Sequence, residues 1–168
     1  MKISFTPFLL FVTLGTLLLS CTNNDAQREF EEQAYQQPSN ITQTNDSGTI
    51  TSADNDDWRE GPLFEGLIDI RPPFPNPVDV SSVINFEFEV TGVQSVNGLV
   101  LTIRYTDGSF GNVYFNQQTP LPPGISAFQI NPAELGQFGT VESARGLHRV
   151  YLFDLNNRLI SYGDIKVE

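Results

Sequence analysis

Between Ile84 and Val90 apolar and polar residues alternate without a break: Ile84, Phe86, Phe88 and Val90 fall on one side, and Asn85, Glu87 and Glu89 on the other. A period of two marks a strand with one face buried and one in water. Leu99, Leu101, Ile103 and Tyr105 repeat the pattern against Val100, Thr102, Arg104 and Thr106. Asp107-Gly108 follows, a pair that tolerates the positive φ of a tight hairpin turn, and the run Phe110 to Phe115 leads back. A second hairpin is read from Leu147 to Phe153, Asn156-Asn157 and Leu159 to Val167, with further strands at Gly66 to Ile70 and Ile125 to Ile130. Asn131-Pro132-Ala133-Glu134-Leu135 predicts one helical turn, Asn131 as its cap and Pro132 at its first position. Short strands without a long helix between them predict an all-β fold, one antiparallel β-sandwich over residues 58–168. About 110 residues is an ordinary size for one such domain.

The alternation is missing before Trp58. Residues 21–57 are dominated by Asn, Gln, Ser, Thr, Asp and Glu, and residues 22–60 hold nine acids against Arg28 and Arg59. A stretch so poor in apolar side chains does not bury enough surface to offset its ordering entropy, so it is expected to be a disordered acidic tether. Its root-mean-square reach as a coil is on the order of 30–35 Å. AQREFEEQAYQQ is the one segment with a helical face, since Phe30 and Ala34 lie four apart. A helix of that length alone in water is marginal. The expectation is a nascent helix within the solvated tether rather than a docking element.

The opposite extreme precedes the tether. Lys2 is followed by an apolar run from Ile3 to Leu19, broken only by Ser, Thr, Pro7 and Gly15, and then by Ser20 and Cys21. This is the layout of a secretory signal over residues 1–20. Leu18-Leu19-Ser20-Cys21 resembles a bacterial lipobox, although Leu19 is bulkier than the small residue common there. The resemblance implies that Cys21, the chain's only cysteine, is acylated and becomes the mature N-terminus. The expected partner is the lipid bilayer, reached through the acyl chains, and the expected location is the cell envelope, at the outer membrane. Removing the first twenty residues takes Lys2 with it and leaves eight basic against twenty acidic side chains, a net of −12. That balance argues against nucleic acid and against a polybasic grip on anionic lipid.

Pro72-Pro73-Phe74-Pro75-Asn76-Pro77-Val78 leads, after a turn, into the strand at Ile84. With Ile103-Arg104-Tyr105-Thr106-Asp107-Gly108 and Gly146-Leu147-His148-Arg149-Val150-Tyr151, it resembles the immunoglobulin-like, PNP-type sandwiches of secreted and surface proteins of Bacteroidota. That group includes the C-terminal sorting domains of the type IX secretion system. The resemblance spans roughly residues 66–168 and implies an immunoglobulin-like sandwich. The last strand ends Ile165-Lys166-Val167-Glu168, without the basic end of sorting domains, and no passenger is read ahead of it, so the sandwich is carried over and the sorting role is not. Physically, the prolines fix φ and favour a stiff, extended segment that suits a sheet edge. Phe74, Pro75, Asn76 and Pro77 are candidates for interaction, either plugging the core or meeting a partner, and Trp58 is a further aromatic candidate at the domain boundary.

Little in the chain reads as chemistry. His148, the one histidine, sits in a predicted strand beside Arg149 without a recognisable nucleophile or orienting acid. The pairs Glu87/Glu89 and Asp154/Asp164 read as a solvent-facing stripe rather than as a hydrolytic pair. Asp54, Asp56 and Asp57 are a weak calcium candidate, lacking the glycine and distal glutamate of a calcium loop. No cofactor and no catalysis are expected. The expected function is that of a structural or protein-interaction module with a protein partner in the envelope; the alternative is a cell-surface glycan or ligand binder using exposed aromatics.

Overall fold

The computed structural model describes residues 25–168. Its core is a seven-stranded sandwich. One sheet has the order β3(Ile68–Ile70), β4(Ile84–Val90), β7(Gly124–Ile130); the other has the order β6(Phe110–Asn116), β5(Leu99–Arg104), β8(Gly146–Phe153), β9(Leu159–Val167). Every pairing within these sheets is antiparallel. Three strands facing four is an immunoglobulin-like layering, in which the chain changes sheet after β4, β6 and β7.

The alternation at Ile84–Val90 does what its period requires. Ile84, Phe86, Phe88 and Val90 are buried between the sheets, and the residues between them are half-exposed. Leu99, Leu101 and Ile103 face them from β5, with Val150 and Leu152 from β8 and Ile160, Ile165 and Val167 from β9. Both predicted hairpins close as expected. Gly108 takes φ 84° in the β5–β6 turn and Asn157 takes φ 59° in the β8–β9 turn. The Asp154 carboxylate, fully buried, fixes the second turn by accepting the N–H groups of Asn156 and Arg158, each at 2.9 Å. Pro132–Leu135 is a 3-10 turn whose cap is Asn131, its Oδ1 accepting from Ala133 N. A single helical turn, α2 (Val141–Ala144), follows it.

The disordered tether is corrected from residue 25 onward. Residues 25–34 form a helix, labelled α1 below by its place in the chain, and β1(Gln43–Thr44) and β2(Ile50–Ser52) form a small hairpin. The helix does not float. Phe30 and Ala34, the pair four apart, are buried on the outer face of the four-stranded sheet against Tyr151, Leu159 and Tyr162. The composition argument fails because the segment builds no core of its own. It closes a second, smaller core whose other half the sheet already supplies, so two or three apolar anchors are enough. The expected signal and Cys21 lie outside the described residues.

Candidate functional site

Burial decides most of the sequence candidates. Trp58 is 3 % exposed, packed edge-on to Phe86 and flat against Gly163, where a Cβ would collide with the indole. It is a core residue at φ 61°, not the first ordered one and not a surface aromatic. Asn76 is fully buried. Its Nδ2 donates to the carbonyls of Thr42 and Asp164, both at 2.9 Å, and its Oδ1 accepts the Lys166 N–H at 3.0 Å. The side-chain amide thus stands in for a piece of neighbouring strand along β9. Phe74 is half-buried over Gly48 and exchanges backbone hydrogen bonds with Asn85 at the start of β4. Pro75 and Pro77 are half-buried, and the Phe74–Pro75 and Asn76–Pro77 peptides are cis.

Asn76 belongs to a clasp along the whole outer edge of β9. Trp58 N and Gly61 N donate to the carbonyls of Tyr162 and Ile160, both at 2.7 Å. Asp57 accepts the Asp164 N–H at 3.0 Å and the Thr42 N–H at 2.8 Å, and Val78 pairs with the last residues of the strand. This edge is therefore closed to partners. Burial pushes the Asp57 carboxyl up to about 7, with the Asp164 charge adding to the effect and the two N–H donors opposing it.

Arg149 ties the same region to α1. It forms a two-pronged pair with Asp164, both contacts at 2.7 Å, and its third nitrogen reaches the carbonyls of Gln33, Ala34 and Gln36 at the helix end. A cation under the C-terminal carbonyls of a helix is favoured by the helix dipole as well as by hydrogen bonding. His148 donates from Nε2 to the Ala144 carbonyl at 2.6 Å, and burial lowers its pKa. Asp54 and Asp56 hydrogen-bond to each other while Asp57 turns inward, so the three acids do not converge. Among the described residues no group of three or more His, Cys, Asp or Glu is arranged to hold a metal ion.

What the sheet leaves open is its other side. Cross-strand register sets out rows on the outer face: Phe115–Val100–Phe153 is one, Asn112–Thr102–Tyr151 the next, and Phe110–Arg104 the third. Helix α1 covers the β8–β9 end of these rows and leaves the β6–β5 end bare. There a groove of about 460 Å³ is floored by Val100, Thr102 and Phe153 and rimmed by Phe110, Phe115 and Tyr35. Phe110 and Phe115 are each about half exposed, at 50 % and 49 %. Among the described residues no charged side chain lines it. Among the described residues β6 is also an edge strand, pairing only with β5, and a bulge opposite Leu101 and Thr102 interrupts it at Val113. β7 is the open edge of the facing sheet, and Tyr114 of β6 stacks on Phe128 of β7 with centroids 3.7 Å apart. Both open edges thus lie on one side of the sandwich.

Sequence reasoning missed this groove. Its signal was Val113-Tyr114-Phe115, apolar on both faces of one strand, and Val100 and Thr102 on the supposedly wet face of β5 are also buried. Compared with known proteins, the chain matches no family model, and no curated protein matches it.

Proposed function

We propose that this chain is a lipid-anchored envelope protein whose sandwich is a non-catalytic protein-interaction module, taking an extended apolar segment of an envelope partner along β6. One observation carries the reading: the uncharged aromatic groove runs beside a sheet edge with free backbone groups, while the opposite edge is clasped shut. Edge addition supplies main-chain hydrogen bonds, and neighbouring pockets take alternate side chains of the added strand. Natural edges are usually guarded by Lys, Pro or inward charge, and β6, FGNVYFN, has none of these. Its bulge at Val113 restricts an added strand to a short stretch on either side. The anchor belongs to the same proposal: Cys21 holds the domain at the envelope, most simply the outer membrane, and acidity keeps it off anionic lipid.

The test is a photo-crosslinking residue at Asn116 in full-length lipidated protein, with the crosslinked peptide sequenced. An extended apolar segment of one envelope protein is expected, and Phe115→Asp should reduce that product at least tenfold. Products scattered over unrelated folded surfaces, or indifferent to Phe115→Asp, sink the proposal. Separately, Cys21→Ala should remove fatty-acid label and membrane fractionation together.

A further inference from the structure

A second concavity, of about 530 Å³, lies on the same sheet face beyond Tyr35, between the β5–β6 turn and the segment 135–148. Among the described residues its lining includes Arg104, Arg145, His148 and Arg149 and not one carboxylate. That is unexpected in a chain with 20 acids against 9 bases. Among the described residues five of the eight basic side chains are ion-paired: Arg28, Arg71, Arg149, Arg158 and Lys166. Of the three that are not, Arg59 lies elsewhere, over the Phe30 ring, and the other two, Arg104 and Arg145, both line this groove.

The two arginines are held differently. Arg104 ends β5 and uses one nitrogen to donate to the Tyr35 carbonyl at 2.9 Å, leaving the rest of its fork without an acid. Arg145 is exposed just after α2 and has no hydrogen-bond acceptor or ion-pair partner among the described residues. Three acids stand close by, and Asp56 lies 4.0 Å from Arg149. Asp107 is bound by Ser109 and by Gln137 across the rim, and Asp79 feels Arg145 but is hydrogen-bonded to Ser81. On the floor, the hydroxyl of fully buried Tyr151 lies beside the Arg104 guanidinium.

We infer that this groove binds an acidic polysaccharide through its uronate carboxylates. Arginine forks match carboxylates two-pronged, and desolvation inside a concavity strengthens the pair. The rest of the lining favours a sugar over a peptide. Gln36, Gln37 and Thr106 bring amide and hydroxyl groups with no side-chain hydrogen bond among the described residues, suited to ring hydroxyls. Phe138, 78 % exposed at the rim, offers a ring face for a pyranose to stack on. The inference stands apart from the β6 reading, since the grooves share neither of the two arginines nor Phe138.

The test uses full-length lipidated protein in detergent, titrated calorimetrically with tetragalacturonate, with its methyl ester and with tetraglutamate. Binding of the uronate is expected, weakened at least tenfold by esterification and reduced by salt. Arg145→Gln should weaken it about tenfold, and Phe138→Ala severalfold; both residues are exposed, so both variants are expected to fold. Phe115→Asp should leave it unchanged. Equal binding of acid and ester overturns the inference, as does tetraglutamate binding as well as the uronate. So does failure of the uronate to bind at all.

Discussion

Three buried residues let the clasp be tested one side chain at a time. Asp57 binds a proton more readily folded, at about 7, than its ordinary value near 4. A carboxyl raised in this way contributes stability that is complete below its unfolded value and is lost as pH rises through its folded value. The urea midpoint of the native protein should therefore fall between pH 4.5 and 7.5, and Asp57→Asn should flatten that slope. An unchanged slope would show that Asp57 is ionised throughout. Asn76→Ala leaves the Lys166 N–H and the Asp164 and Thr42 carbonyls without their partner, a cost of about 3 kcal/mol by equilibrium unfolding. Gly163→Ala drives a methyl into the Trp58 ring and should cost about 1–3 kcal/mol on the same measurement. None of these roles was legible locally. The proline-rich setting of Asn76 does predict a sheet edge, and that is what it serves. Yet its amide answers a strand 88 to 90 residues away, a distance no short pattern encodes.

Legibility was greatest for elements with a single periodic face. β4, both hairpins and the Asn131 cap lie where alternation and turn chemistry put them, because each is dictated within ten residues of itself. Helix α1 was seen as a helix but not as a docked one. Its docking depends on β8 and β9 being apolar on their outer face, and that signal is in the chain: Leu159, Ile160, Tyr162 and Ile165 cannot all face one core. A strand buried on both sides requires a second layer, and the nearest unassigned amphipathic segment was Phe30 to Ala34. Phe30→Ala should therefore release α1, costing up to about 3–5 kcal/mol where the unit unfolds together. Amide hydrogen exchange would show this as lost protection over residues 25–36 with β4 and β7 unchanged. Unaltered protection in the helix would mean that its polar ties, from Arg149, Arg104 and Gln27, hold it against the sheet.

Taken whole, the molecule is asymmetric. One flank of the sandwich is sealed by α1, Asp57, Trp58 and Asn76; the other presents two open edges and the aromatic row of Phe110 and Phe115. An apolar, unguarded edge invites pairing between copies, and the bulge at Val113 is a modest defence. The larger defence is charge, because a net of −11 at neutral pH makes every copy repel every other. It disappears near the sequence isoelectric point of about 4.3. At that pH the protonated Asp57 favours the folded state, so association there need not begin with unfolding of the clasp. Light scattering should accordingly rise between pH 7.5 and 4.3 while near-ultraviolet circular dichroism stays native. Replacing both Phe110 and Phe115 by Ser should suppress the rise without moving the isoelectric point. If the double variant precipitates as readily as the native protein, the open edge is not what brings copies together, and β6 loses its standing as the adhesive side of the fold.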